Sequence, residues 1–280
     1  MLSARSRQSL DAALRAWRRD HGHPYPIWWR DDDAADASPA LARLRQLSID
    51  TRSPVALAVV PALLQPGLGS ALAGWSEMCV WQHGYAHQNR APAGAKKAEL
   101  GDSRPVQQRL AELALGRARL SARFGRNFQP VLVPPWNRIS DDLIARLPEV
   151  GLRGLSTFRP RPRRATPALT RVNTHVDVIA WRLGGGFVGE EHAVAQLLGH
   201  WQARAEGRVD PTEATGILTH HRVHDEATWR FLTDLFHWLR EHPCARVMAP
   251  RALFALGTSA GRGASARSDA TAPGELGEEG

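Results

Sequence analysis

The chain has 280 residues, 43% of them hydrophobic, and its 36 lysines and arginines against 28 aspartates and glutamates give a formal net charge of +8. This length suits one α/β domain with a sizeable core, and the presence of only 2 cysteines excludes a disulfide-rich scaffold. No apolar run approaches the ~20 residues of a membrane span, and no segment has the apolar core of a signal peptide. We therefore expect a cytoplasmic protein without a membrane partner.

The two ends of the chain have contrasting patterns. Residues 1–25 carry apolar side chains three and four positions apart, at Leu10, Ala13, Leu14 and Trp17, which predicts an amphipathic helix packed on the domain that follows. Residues 257–280 are rich in glycine, alanine and serine without any periodicity, which predicts a disordered tail.

Between these ends, predicted strands alternate with predicted helices. Short apolar runs predict strands at residues 26–30, 55–60, 78–82, 131–133, 154–158, 176–181, 216–219 and 245–249. The segments between them carry the apolar period of helices, for example around Leu44, Leu113 and Leu235. This alternation predicts an α/β fold, a distorted or incomplete (β/α) barrel of seven to eight mainly parallel strands over residues 26–256.

Polar residues cluster directly behind the predicted strands. The run "WWRDDDA" places Asp31, Asp32 and Asp33 after the first strand, and "HGYAH" follows the third. Later strands run into "PPWNR", "RLGGG" and "HHRVHD". Because the chemistry of such barrels lies where the C-terminal strand ends converge, the pattern predicts a functional site at that edge. Taken alone, three aspartates can equally form a solvated turn.

The most informative pair is His83 and His87, four residues apart. A helical turn starting at the strand end would bring both imidazoles to one side, although such pairs also occur at helix starts that face solvent. An aspartate from a neighbouring strand end would add an anionic ligand. Two imidazoles, one carboxylate and an open position suit a catalytic divalent metal, and zinc is the ion we expect.

With these motifs in this order, the sequence resembles the polysaccharide deacetylases, which remove N-acetyl or O-acetyl groups from chitin, peptidoglycan and related glycans. The family's Asp-Asp-Gly, His-x-x-x-His, Arg-Pro-Pro-like, Asp/Trp and Leu-x-His elements correspond to "RDDDA", "HGYAH", "VPPWN", "VDVIAW" and "LTH" over about residues 26–250. The resemblance implies a metal-dependent hydrolase of carbon–nitrogen bonds other than peptide bonds, with an acetylated sugar or glycan as substrate.

The resemblance also implies roles for individual residues. The implied metal ligands are Asp32, His83 and His87, and the implied catalytic residues are Asp31 as base, His220 as acid with His221 as its rival, and Asp177 as an orienting group. Asp33 stands where the family has glycine, so a shift of this assignment by one position stays open.

Aromatic residues in the same motifs are candidates for substrate contact. Trp29, Trp136 and Trp181 offer flat faces to a sugar ring, although each also suits a place in the core. We expect Tyr85, Pro135 and Asn137 to line the same site.

One departure from the family pattern bears on activity. Val133 stands where the family has an arginine, and Arg30, Arg138 or Arg182 could replace it. Without a replacement, the chain would be a catalytically inactive barrel that binds saccharide. The net positive charge suggests a third hypothesis, a protein that binds nucleic acid or another polyanion. The arginines are scattered along the chain, however, and we expect no nucleic-acid partner.

Overall fold

The computed structural model describes residues 2–161 and 169–254. The tail predicted to be disordered, residues 257–280, lies outside the described residues. None of the described helices is long and apolar enough to cross a bilayer.

Parallel strands form one curled sheet. Its strands are β1 Tyr25–Ala34, β2 Val55–Val59, β3 Met78–His83, β4 Phe128–Val133, β5 Gly154–Leu155, β6 Thr170–Arg171, β7 Val176–Asp177, β8 Thr215–Thr219 and β9 Ala245–Val247. Eight of them lie in the order β6-β5-β4-β3-β2-β1-β8-β7, and β9 pairs with the start of β1. Within the described residues β6 and β7 form the two edges, so the sheet is an open half-barrel. The predicted fold class is confirmed.

Helices cover the outer face of the sheet. They are α1 Ala4–His21, α2 Pro39–Asp50, α3 Leu68–Leu72, α4 Val106–Phe124, α5 Asp141–Arg146, α6 Glu190–Ala205 and α7 Glu226–Glu241. Several begin at a residue that caps the first free N–H groups: Ser3 precedes α1, Ser38 precedes α2 and Asp225 precedes α7, each accepting a backbone N–H three residues on.

Helix α1 packs on the half-barrel through its apolar stripe. Leu10 and Leu14 are fully buried in the main hydrophobic cluster together with Tyr25 of β1 and Trp201 of α6. The edge of the Trp17 ring meets Tyr25, with ring centroids 4.8 Å apart. Burying leucines at this depth contributes about 1.5–3 kcal/mol each.

Most differences from the predicted elements are short segments. Strand β6 and helix α3 have 2 and 5 residues, too few to show a period in the sequence. The strand predicted at 176–181 ends at Asp177, because the chain then turns and Ile179 pairs with Phe187 on the returning loop. Strand β1 is longer than predicted and continues to Ala34, through all three aspartates.

Candidate active site

The three aspartates at the end of β1 face different surroundings. Asp31 pairs with Leu57 of β2 and with Thr219 of β8, so β geometry and its alternation of faces persist there. Arg30 and Asp32 therefore share one face, and Asp31 points to the other. At Asp33 the backbone turns into the left-handed region, with φ of 71°, where the β1–β2 register slips. This bend brings Asp33 to the C-terminal edge of the sheet, which we call the mouth.

Asp33 lies against the two histidines that follow β3. Its Oδ1 is 3.1 Å from Nε2 of His83 and 3.2 Å from Nε2 of His87. That buried oxygen has no hydrogen-bond partner among the described atoms. His83 donates from Nδ1 to the Val133 carbonyl at 2.9 Å, so in its neutral form Nε2 presents a lone pair. Two imidazoles and a carboxylate in this arrangement fit a divalent metal.

The third member of this cluster was expected to be Asp32. The structure groups Asp33 with His83 and His87 instead, so the cluster of possible ligand atoms includes the aspartate one residue further along the chain than predicted. The reason is physical: β alternation holds through Asp32, and the bend that frees a carboxylate comes only at the next residue. The one-position shift that Asp33 left open is therefore the arrangement found.

The loop between the histidines is not the helical turn that their spacing suggested. Gly84 and His87 both have left-handed backbones, with φ of 54° and 55°. The buried Glu99 carboxylate accepts the N–H of Tyr85 at 3.1 Å and that of Ala86 at 2.7 Å, which stabilises this loop. Nothing in the sequence marked Glu99, which lies twelve residues beyond the second histidine in a polar stretch.

Asp32 is held by an arginine on its own strand. Arg30, fully buried, donates from Nε to Oδ1 of Asp32 at 2.9 Å and from Nη2 to Oδ2 at 3.0 Å. The same guanidinium donates to Ser156 at 2.7 Å and to Asn137 at 2.9 Å. Arg30, Arg138 and Arg182 were the candidates to replace the arginine that the family has at the position of Val133. Of these, Arg30 forms the ion pair with Asp32. Ser156, directly after β5, was missed.

The other two arginines lie elsewhere. Arg138 donates to the Lys97 carbonyl at 2.7 Å and is exposed, and Arg182 is exposed beside Trp181. Within the part of the chain that the structure describes, neither forms a hydrogen bond or ion pair with the three aspartates.

His220 faces Asp32 from the end of β8. Its Nε2 is 3.9 Å from Oδ2 of Asp32, and its side chain is almost fully buried. The edge of its ring meets the Trp181 ring, with centroids 4.6 Å apart, and Nε1 of Trp181 donates to Asp177 at 2.8 Å. Asp177 therefore orients the tryptophan that borders His220. Burial raises the pKa of the Asp177 carboxyl.

Asp31 and His221, predicted as base and rival acid, lie away from the mouth. Both are essentially inaccessible to solvent, and their side chains form a close hydrogen bond behind the strand. Asp31 cannot contact a substrate at the mouth because its side chain points to the opposite face of β1. This placement does not favour the predicted role of Asp31 as base, which stays a prediction.

The aromatic candidates divide between core and mouth. Trp29 is fully buried, packs against Phe236 with ring centroids 4.7 Å apart and donates to Thr219, so it belongs to the core and not to a sugar site. Trp136 stacks at a tilt 4.5 Å from His87, and Trp181 is 48% exposed. Tyr85 is half-buried, whereas Pro135 is buried and Asn137 contacts Arg30.

The charges around the cluster favour an ionised Asp33. Burial by itself would raise the pKa of this carboxyl, but His83, with His220 and His87 nearby, outweighs burial and the pKa is lowered. The pKa of His87 is also lowered, by burial and by the neighbouring His83. Asp33 as a carboxylate and His87 as a neutral ring are the forms that bind metals.

A second group of potential ligands lies near the start of β8. His175, His200 and Glu213 are all buried with ligand atoms within 4.8 Å of one another. His175, however, accepts the N–H of Gly216 at Nδ1, at 3.0 Å, so its Nε2 carries the hydrogen in the neutral ring. The positive charge of Arg204 also acts on both histidines. The hydrogen on Nε2 of His175 and the nearby guanidinium both disfavour a cation here. Hydrogen bonds of the other two members also go to groups outside the cluster, from His200 Nδ1 to the Thr215 hydroxyl at 2.8 Å and from the Arg161 N–H to Glu213 at 2.9 Å.

Solved structures of carbohydrate deacetylases and esterases share this architecture. A Mycobacterium smegmatis protein assigned as a polysaccharide deacetylase superposes with a TM-score of 0.57 at 14% identity, covering 91% of this chain and 96% of its own. A family 4 carbohydrate esterase from Streptomyces lividans, in complex with acetate, gives 0.52 at 15% identity, covering 81% and 94%. A family 4 acetyl xylan esterase from Clostridium thermocellum, in complex with a cobalt ion, gives 0.51 at 13% identity, covering 82% and 91%.

The chain has the fold of the polysaccharide deacetylases. The resemblance drawn from the motifs is thus confirmed at the level of the fold. No protein-family model matches the sequence, and no curated protein matches it. Within the polysaccharide deacetylase fold, the mouth of this half-barrel gathers residues at or just beyond the C-terminal ends of β1, β3, β4, β5, β7 and β8.

Proposed function

We propose that the protein is a metal-dependent deacetylase that removes acetyl groups from an acetylated sugar or glycan. The observation that carries the proposal is the mouth itself. There the Asp33, His83 and His87 cluster lies next to an arginine-bound carboxylate, Asp32, and a histidine, His220, faces that carboxylate. These are a ligand set, a base and an acid, the three components that amide hydrolysis at neutral pH requires.

Asp33, His83 and His87 would hold the metal, with zinc the ion we expect. When bound, such an ion polarises the acyl oxygen and lowers the pKa of a water molecule towards ~7. The Val133 carbonyl fixes the ring of His83 by accepting its Nδ1 hydrogen, as outer partners of metal-binding histidines commonly do. Val133 thus contributes through its backbone at the position where the family has arginine.

Asp32 is the general base in this proposal. With the register of the structure, the family's Asp-Asp-Gly falls on Asp32, Asp33 and Ala34, so the base and the ligand are adjacent. The Arg30 pair holds the carboxylate in one orientation and keeps it available to accept a proton from the attacking water.

His220 is the general acid. An amine leaves poorly as an anion, and an imidazole that faces the base across the mouth is placed to donate the proton it needs. Trp181, fixed by Asp177, borders His220, and Trp136 borders His87. Their faces would flank a sugar ring on two sides.

The absence of arginine at Val133 suggested an inactive, saccharide-binding barrel as the alternative. Arg30 supplies a bidentate contact to the proposed base, and this supports an active site. The acetate in the Streptomyces lividans structure and the cobalt ion in the Clostridium thermocellum structure support metal-dependent deacetylation in this fold.

The proposal is tested by metal analysis of the purified protein together with acetate release from a panel of N-acetylated and O-acetylated sugars. We expect about one divalent ion per chain, acetate release that stops on chelation, and recovery when the metal is restored. A protein that binds saccharide and metal but releases no acetate from any member of the panel would support the inactive barrel.

A further inference from the structure

We infer that Asp31, the first of the three aspartates, is a positioning residue that fixes the general-acid His220 by holding the residues on both sides of it. The inference rests on the proposed function for the role of His220. It gives a structural role to Asp31, whose side chain lies outside the mouth while those of Asp32 and Asp33 lie in it.

Asp31 binds three groups, all belonging to the neighbours of His220. Its Oδ2 accepts the hydroxyl of Thr219 at 2.6 Å and the backbone N–H of His221 at 3.0 Å. Its Oδ1 accepts Nδ1–H of His221. The carboxylate is completely buried, so both oxygens are engaged within the protein. Charge-assisted hydrogen bonds of this kind are roughly twice as strong as neutral ones.

The ring of His220 has little else to hold it. Within the described atoms its Nδ1 has no hydrogen-bond partner, and its Nε2 is 3.9 Å from Asp32, beyond a hydrogen bond. Apart from the edge contact with Trp181, the direction of the ring follows from the backbone. That backbone leaves β8 at Thr219 and enters a short 3-10 turn at His221, and Asp31 bridges this junction.

The bridge also fixes the distance between base and acid. Asp31 and Asp32 are adjacent on β1, one on each face, so one short piece of strand carries both the proposed base and the group that holds the acid's loop. A displacement of His220 by about 1 Å would weaken proton donation strongly, because general acid catalysis depends on hydrogen-bond reach.

The test compares Asp31→Asn with the wild type on two substrates whose leaving groups differ. An N-acetyl sugar needs its amine protonated, whereas 4-nitrophenyl acetate releases a stable phenolate without an acid. We expect kcat/KM for the amide to fall about 100-fold and that for the aryl ester to change by less than about 3-fold. Metal content should stay at the wild-type level, since Asp33, His83 and His87 are unchanged.

The matched control is Asp36→Asn. Asp36 is a partly exposed aspartate that pairs with Arg222, next to His221, at 3.0 Å. Asp36→Asn therefore removes one negative charge beside the turn that follows His220 and leaves the contacts of Asp31 in place. We expect both substrates to be hydrolysed at wild-type rates. If Asp31→Asn does not fold, His221→Gln, which keeps the backbone N–H, should lower the amide rate by about 10-fold and again spare the ester.

Crystal structures of Asp31→Asn and the wild type give the second readout. We expect the His220 ring to move by more than about 1 Å relative to Asp32, with the Asp33 cluster in place. Equal losses on amide and ester, or an unmoved His220, would overturn the inference. A wild type inactive on both substrates would refute the proposed function instead, and the position of His220 would then decide the positioning role by itself.

Discussion

Arg30 and Asp32 form a buried pair whose charges depend on each other. Both side chains are essentially without solvent contact, and the guanidinium makes two bonds to the carboxylate and one each to Ser156 and Asn137. Removing one partner of such a pair leaves an uncompensated buried charge, which is far more costly than losing an exposed pair. Arg30 therefore stabilises the fold and, in the proposed site, orients Asp32.

We predict that Arg30→Met lowers the free energy of unfolding by about 3–5 kcal/mol, measured by urea denaturation. Arg43→Met is the matched control because Arg43 pairs with Glu226 on the surface, where both side chains are largely exposed. It should cost less than about 1 kcal/mol. Equal losses in the two variants would mean that the Arg30 pair is not isolated from water as described.

A second prediction at this scale concerns the base itself. Asp32→Asn should keep the metal and lower kcat by about 10²–10⁴-fold, because an amide cannot accept the proton of the attacking water. The measurement is acetate release at saturating substrate, with metal content determined on the same sample. A variant with unchanged kcat would exclude Asp32 as the base.

At the scale of elements, the loop that carries His87 depends on Gly84. A Cβ at Gly84 would lie 2.0 Å from Oε2 of Glu99 and 2.6 Å from the Pro135 ring, and the backbone is left-handed. Glu99 is the residue that accepts the N–H groups of this loop. Any side chain at this position must therefore displace the carboxylate that holds the loop.

We predict that Gly84→Ala weakens metal binding by about 10-fold or more, the range seen when outer partners of metal ligands are lost. Gly94→Ala is the control, because Gly94 is also left-handed, with φ of 80°, but a Cβ there meets nothing within 4 Å. It should cost only about 1–2 kcal/mol of backbone strain and leave metal affinity unchanged. Isothermal titration with zinc measures both variants.

The ends of the elements were harder to predict than the elements themselves. Apolar runs located eight strands because burial on both faces selects such runs. The same reasoning could not show that β1 continues through three aspartates, because aspartate is depleted in strands. The proposed ligand cluster consequently differs by one residue from the predicted one, although both contain the same two histidines. Glu99 and Ser156 act through tertiary contacts that no local pattern records.

At the scale of the whole molecule, the buried cluster of His175, His200 and Glu213 makes stability depend on pH. Burial, with the charge of His175 and Arg204, lowers the pKa of His200 to about 2, and burial raises the pKa of Glu213 to about 7. Below about pH 6.5 the unfolded chain protonates His200 and the folded chain does not, so this residue makes stability rise with pH. Glu213 acts in the opposite direction between about pH 4.5 and 7, since its folded form retains the proton.

We predict that His200→Gln reduces the slope of unfolding free energy against pH by up to about 1.4 kcal/mol per unit between pH ~4 and ~6. Glu213→Gln should steepen the same slope, because it removes a group that favours the folded state at lower pH. Urea denaturation at three pH values measures both slopes. Changes of the same sign in the two variants would contradict the assigned pKa directions.

The proposed chemistry depends on which of three adjacent aspartates holds the metal. The zinc affinity of the Asp31→Asn, Asp32→Asn and Asp33→Asn variants distinguishes them. We predict that Asp33→Asn weakens zinc binding by about 100-fold or more, because it replaces a ligand, whereas the other two variants change affinity by less than about 10-fold. Isothermal titration on the metal-free proteins gives the three values without requiring activity. If Asp32→Asn lost the metal and Asp33→Asn retained it, the site described here would be contradicted.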